Sequence, residues 1–203
     1  MNLLIKKLNP DLAEDYVHFF DVTPHDDGTD KDEFPCYCVT WRSDAAYTDG
    51  SNHWFPTREE RRKRAIQFVK DGHIQGYLAY LEGEIVGWCN TNGDCRLGLN
   101  YLRTYWPIEE YREDVRVKSV FCFAIASKVQ RTGVATQLLK RICEDAAADG
   151  YNFVEAYVYK DTSAVPHDFR GPLSMYEKCG FTKTTERDNV AVVRKALGDN
   201  DVQ

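Results

Sequence analysis

The segment Gln130-Arg131-Thr132-Gly133-Val134-Ala135-Thr136 holds the residue types from which an anion site is made. It lies between an apolar strand candidate and a long amphipathic helix candidate. The first amides of a helix have no intrahelical acceptors, and the helix dipole favours negative charge at that end. Gly133 lets the backbone approach a ligand closely, Ala135 keeps the turn uncrowded, and Thr136 adds a hydroxyl donor. This arrangement suits a pyrophosphate. No Gly-Lys-Ser/Thr follows, so it is not a Walker loop, and a single glycine is too few for a dinucleotide fingerprint. Taken alone, the segment reads equally well as a plain strand-to-helix turn.

Other candidates are weaker. Cys36 and Cys38, with His53 and Cys89 elsewhere, have the residue types of a metal site. Two thiols one residue apart on a strand point to opposite faces, so buried structural thiols are the better reading and no metal is expected. The basic run Arg61 to Arg64 reads as an exposed helix face, with Glu59–Lys63 and Glu60–Arg64 as i,i+4 pairs, ahead of an anion or RNA patch. Trp41, Trp54, Trp88 and Trp106 read as core or pocket wall.

The elements that must position these residues alternate between strand and helix. Leu3 to Leu8 reads as a strand, and Pro10 and Asp11 open a helix to about Phe20. A polar loop from Thr23 to Glu33 precedes a strand expected over Cys36 to Trp41. After a second polar loop, Thr57 caps a helix, with Glu60 completing a capping box. Tyr77 to Leu81 and Ile85 to Cys89 form a hairpin around Glu82-Gly83-Glu84. The stretch Cys95 to Asp114, with Tyr101, Tyr105 and Trp106, reads as a loop. Strands follow at Val115 to Ala126 and Phe153 to Tyr159, separated by a helix over Gly133 to Asp149 that Gly150 stops. A short helix at Leu173 to Lys178, ended by Gly180, and a strand at Val190 to Lys195 complete the chain before a mobile tail.

In this order the motifs resemble the GNAT superfamily of N-acetyltransferases. Gln130, Gly133 and Ala135 match its acetyl-CoA motif, Gln/Arg-x-x-Gly-x-Gly/Ala. Ser119 to Ala126 looks like its central strand, Tyr176-Glu177-Lys178-Cys179-Gly180-Phe181 resembles its Tyr-x-x-x-Gly-Phe signature, and Gly87 agrees with its third strand. The clearest match runs from 76 to 195. Residues 1–75 supply an N-terminal strand, helices and acceptor-side loops. The resemblance implies one domain over 1–203 with an α/β GNAT acyl-CoA N-acyltransferase fold. That fold is a mixed, mostly antiparallel sheet with splayed central strands and helices on both faces.

It also implies site roles. The cofactor, acetyl-CoA, would lay its pyrophosphate on the amides of Arg131, Thr132, Gly133, Val134, Ala135 and Thr136. Its thioester carbonyl would be polarised by a backbone amide near Phe123, Ala124 or Ile125. Tyr176 matches the family's general acid; its plainer reading is an aromatic packed near Phe181. The family's pantetheine-binding Asn is missing from Lys160 to Pro172, where Gly171 or Ser174 would take part of its role. Where relatives carry a general base at the start of the central strand, this chain has Ser119, which cannot serve. Glu155 on the next strand is an alternative, weighed equally with a plain strand-edge charge, and a water chain is a third.

With 203 residues, 43% hydrophobic and 29% charged, the chain has the composition of one folded domain rather than a disordered one. A formal net charge of -6 argues against nucleic acid as a partner. The N-terminal apolar run is too short for an export signal or a membrane span, so no membrane partner is expected. Seven cysteines without an export signal read as reduced thiols in the cytoplasm. The expected function is acetyl transfer to a primary amine on a small-molecule or peptide acceptor. The rival is a catalytically silent acyl-CoA sensor or partner module. Acceptor identity is open, as is a homodimer.

Overall fold

A computed structural model describes residues 2–23, 36–39, 57–92, 114–163 and 168–198. The elements are β1 (Leu4–Lys7), a 3₁₀ turn at Pro10–Leu12, α1 (Ala13–Val22), α2 (Arg58–Lys70), β2 (Gln75–Leu81), β3 (Glu84–Asn92) and β4 (Val117–Ile125). A 3₁₀ turn at Ser127–Val129 follows, then α3 (Val134–Ala148), β5 (Phe153–Tyr159), α4 (Leu173–Lys178), β6 (Thr182–Arg187) and β7 (Val190–Ala196). The strands form one sheet in the order β1-β2-β3-β4-β5-β7-β6. Every neighbouring pair is antiparallel except β4 and β5.

Side chains alternate across a strand, so each face of the sheet collects its own core. On one face Val120, Phe123, Val154, Ala156 and Val158 pack under α3 and α4. On the other Leu78, Tyr80, Trp88, Cys122 and Ala124 pack under α1 and α2. The helices fold where the sequence marks them. Thr57 and Glu60 form a reciprocal capping box at α2, and the β2–β3 hairpin turns through Glu82 and Gly83, both at positive φ.

The central parallel pair is short. β4 and β5 are in register from Val117↔Phe153 to Val120↔Ala156 only. Beyond that level β4 continues to Ile125 and β5 to Tyr159 without pairing, so the two strands part. Where they part, β4 carries an extra residue, Phe121, because Asn90 pairs with Cys122 and Thr91 with Val120. A bulge of this kind bends its strand and increases the local twist.

Two expectations need correction, and one strand carries no sequence signal. Residues 36–39 form a turn instead of a strand, with Tyr37 and Cys38 in the left-handed region; residues 40 and 41 lie outside the described residues. The run Arg61 to Arg64 is solvated only in part, with Lys63 and Arg64 exposed. Arg61 is buried, and Arg62 ties α2 to α1 through Asp21 at 2.8 Å and Glu14 at 3.1 Å. The strand β6 has all six of its residues exposed, so its sequence shows no alternation. The loops expected around 24–33 and 42–56, the region 95–113, His53, Trp41, Trp54 and the tail beyond 198 lie outside the described residues.

Gly87 is a close-approach position. A Cβ there would sit 3.0 Å from Val134 Cγ1 and 3.1 Å from Ile125 Cδ1. The first turn of α3 therefore rests directly on β3 beside the end of β4. Gly87→Val is expected to destabilise the fold by about 1–3 kcal/mol through overpacking. A urea-unfolding midpoint equal to that of the unsubstituted chain would refute this seat for α3.

Candidate active site

The turn Gln130–Gly133 joins the end of β4 to α3. Gly133 is the N-cap, at φ 95, with no side-chain cap. Arg131 is also left-handed, at φ 62. The first helical bond runs from the Gln137 amide to the Gly133 carbonyl, 3.0 Å. The amides of Val134, Ala135 and Thr136 precede that bond, so they have no intrahelical acceptor. They open onto a cleft of about 400 Å³, lined on the turn side by Gln130, Arg131, Gly133, Val134, Ala135 and Thr136. Across the cleft stand Pro172, Ser174, Met175 and Lys178 of the α4 segment.

Thr132 does not line this cleft. Its hydroxyl and its amide both turn back onto the Val129 carbonyl, at 2.7 and 3.4 Å. Lys178 was not singled out in the sequence. Only the fold shows that the last turn of α4 faces the α3 N-terminus. Together Arg131 and Lys178 put two cations on a cleft within an acidic chain.

Ile125 and Met175 carry the cleft towards the gap between β4 and β5. The Ala126 amide bonds to the Val86 carbonyl at 2.9 Å. By antiparallel alternation the Ala124 amide also faces β3, while those of Phe123 and Ile125 face the gap. Ala124 thus cannot offer its amide to a ligand there. The Phe123 amide donates to the Phe169 carbonyl, 2.7 Å. Gly171 lies against this point: a Cβ on it would come within 2.9 Å of Met175 Cε and 3.6 Å of the Phe123 ring.

Tyr176 is buried in the α3/α4 core, edge-on to Phe181 with ring centroids 5.3 Å apart. Its hydroxyl donates to the Arg170 carbonyl at 2.7 Å. Burial pushes its pKa well above the usual tyrosine value. The side chain is thus a packed aromatic whose hydroxyl is protonated and donates to main chain.

Glu155 sits at the same level of the sheet as Asn92, Ser119 and Arg194, each opposite the next on its neighbouring strand. Its neighbours Val154 and Ala156 face α3, so this polar row faces the α1/α2 side. The Glu155 carboxylate is fully buried. Arg194 reaches one oxygen at 2.9 and 2.5 Å, and Tyr157 donates to the other at 2.6 Å.

Cys38 Sγ lies 3.6 Å from Cys122 Sγ, both buried; Cys36 is half-buried. Among the described residues no group of three His, Cys, Asp or Glu side chains is placed to hold a metal. No helix among them is long and apolar enough to cross a membrane.

Comparison with known proteins fits this geometry. Solved structures with the same fold include a GNAT-family acetyltransferase from Streptococcus pneumoniae, 18% identical, covering 97% of this chain and 100% of its own, with a TM-score of 0.54. The ribosomal-protein-S18-alanine N-acetyltransferase of Escherichia coli is 13% identical over 100% of both chains, with a TM-score of 0.50. An N-acetyltransferase from Thermoplasma acidophilum, solved in complex with coenzyme A, is 12% identical over 97% of this chain and 99% of its own, with a TM-score of 0.50. No curated protein sequence matches the chain. The sequence profile of the Acetyltransferase (GNAT) family matches residues 38–181. That span includes the parted strands, the α3 turn and Tyr176, and with it the chain belongs to the GNAT acetyltransferase family and is an acyltransferase of that type.

Proposed function

We propose that the protein transfers an acetyl group from acetyl-CoA to a primary amine. The observation that carries this reading is the set of acceptor-less amides of Val134, Ala135 and Thr136, opening onto a cleft with Arg131 and Lys178. Unpaired helix-terminal amides and two cations suit a pyrophosphate. The coenzyme A bound in the Thermoplasma relative is a ligand of the same chemistry. Acetyl-CoA supplies the activated acyl group as a thioester. This chain's residues bind it, orient it and manage the protons.

The gap between β4 and β5 accommodates the pantetheine arm. The edge of β4 offers the Ile125 amide, and also the Phe123 amide if the Phe169 carbonyl moves aside. A main chain added at that edge would pair as a strand does. Either amide is suited to hold the thioester oxygen as charge develops on it. Ser174, at the mouth of the cleft, and Gly171, against Phe123, flank this path.

Tyr176 is the proposed proton donor to the leaving thiolate. Its raised pKa keeps the donor form: the proton is lost only above a value already higher than the usual tyrosine range, so it is present throughout neutral pH. Glu155 is the weaker candidate as base, because both its oxygens are committed to Arg194 and Tyr157 and it has no exposed surface. We assign it to holding β5 against β7. Removal of the amine proton then falls to water on the α1/α2 side of the gap, the third route open in the sequence.

Three measurements test this reading. Gly133→Glu strains a left-handed position and adds negative charge at the amides. Calorimetry should find acetyl-CoA binding abolished in the folded variant, and unchanged affinity would sink the phosphate assignment. Tyr176→Phe keeps the ring and removes the donor, so kcat should fall by about 10²- to 10⁴-fold with little change in acetyl-CoA affinity. Full kcat across the pH range would mean another group protonates the thiolate. Glu155→Gln should lower stability by up to about 3–5 kcal/mol, since it leaves Arg194 without its charge partner. A variant of normal stability whose kcat collapses and recovers at high pH would return the base role to Glu155.

A further inference from the structure

After β5 the chain returns to the gap at Phe169 and Arg170. Their successive carbonyls meet the Phe123 amide and the Tyr176 hydroxyl, each at 2.7 Å. Tyr176 belongs to the α3/α4 core. The Arg170 side chain goes the other way. Its guanidinium lies 4.3 Å from the centre of the Tyr159 ring and 5.5 Å from that of Phe169. Phe169 packs on the α1/α2 core. Tyr159 is next to Val158, which faces α3, so its ring points to the opposite side. The main chain thus crosses the gap, touching the proton donor on one face and presenting a cation on the other.

That cation is stacked but not paired. Arg170 Nη1 is buried without a hydrogen-bond partner, and the guanidinium makes no ion pair among the described residues. Asp168, two residues away, spends Oδ1 on the Arg170 amide at 3.1 Å. Buried charged donors are seldom left unmatched, because desolvating one without a partner is costly. The Arg170 guanidinium lies over the Tyr159 ring and carries a planar N–H fork. That geometry matches a planar carboxylate with two parallel hydrogen bonds.

We propose that Arg170, stacked on Tyr159, binds a carboxylate carried by the acceptor, so that the substrates are amines of amino-acid type. This rests on the acetyl-CoA reading above. In acetyl transfer the amine nitrogen forms a bond to the acyl carbon and the carbon–sulfur bond breaks. The amine loses one proton, the thiolate gains one, and the carboxylate is unchanged. With the thiolate beside Tyr176 on the α4 side, the amine approaches from the α1/α2 side, where the guanidinium lies. A pantetheine carbonyl is the competing partner for the same N–H groups, and it would tie Arg170 to the cofactor instead.

The test is calorimetry on protein saturated with coenzyme A, titrated with the N-acetyl derivatives of the common amino acids and with their carboxamides. The expected result is at least one acid that binds about 10- to 100-fold more tightly than its amide, the range of a charge-assisted hydrogen bond. Arg170→Gln should abolish that preference while leaving coenzyme A affinity intact. Arg170→Lys should restore it only in part, since a point charge lacks the fork. If Arg170→Gln does not fold, Tyr159→Leu, which removes the stacking platform, takes its place. The proposal is overturned if no acid binds, if acids and amides bind alike, or if the preference survives in the variant. It is also overturned if the variant loses coenzyme A affinity while its acid-to-amide ratio is unchanged. Failure of the unsubstituted protein to bind coenzyme A is a separate result, which removes the acetyl-CoA reading itself.

Discussion

The organisation of the molecule depends on one parallel strand pair that stops early. β4 and β5 hold each other over four residue pairs and then part. A strand edge released inside a protein leaves main-chain donors and acceptors that must find other partners. One of them, the Phe123 amide, finds the Phe169 carbonyl. The rest of the site is arranged around the same opening. β4 ends beside it and hands the chain to the α3 turn, whose amides Val134 to Thr136 face the cleft that leads in. The bulge at Phe121 supplies the local bend.

The polar row Asn92, Ser119, Glu155 and Arg194 lies one residue pair before the parting. A buried ion pair contributes little net stability, but breaking it is costly, so it constrains which arrangement is tolerated. Glu155 joins β5 to β7 through Arg194 and accepts from Tyr157 on its own strand. Above this row the α3/α4 core and the α1/α2 core clamp the two faces. Gly87 brings α3 close enough for its first turn to reach the end of β4. The width of the gap is thus set by packing on both sides.

Local signals were the legible part of the sequence. Gln130, Gly133 and Ala135 mark a strand-to-helix turn by residue type alone, and the long runs of β4, α3 and β5 are read within a residue or two of their ends. The capping box at Thr57 is a reciprocal contact three residues apart, and it forms as written. Signals that depend on distant contacts were not legible. The basic run on α2 reads as solvated until Asp21 and Glu14 of α1 are seen beside Arg62. Glu155 reads equally as a base or a strand-edge charge until Arg194, 39 residues later, closes on it. The turn at residues 36–39 has strand-like composition, and only the tertiary contacts of Tyr37 and Cys38 hold it in the left-handed region. Arg170 has no local signal, because its setting is made by Tyr159, Phe169 and the gap together.

Between β5 and α4 the backbone itself enters the gap. Phe169 gives a carbonyl to β4, Arg170 gives a carbonyl to Tyr176, and Gly171, at φ 82, turns the chain out again towards α4. Two adjacent peptide units thereby touch a group on β4 and a group on α4. Tyr176 is tied to the Arg170 main chain by the hydrogen bond from its hydroxyl to the Arg170 carbonyl. In an acidic chain, a cation over the Tyr159 ring on one side of the gap has its electrostatic complement in an anionic group.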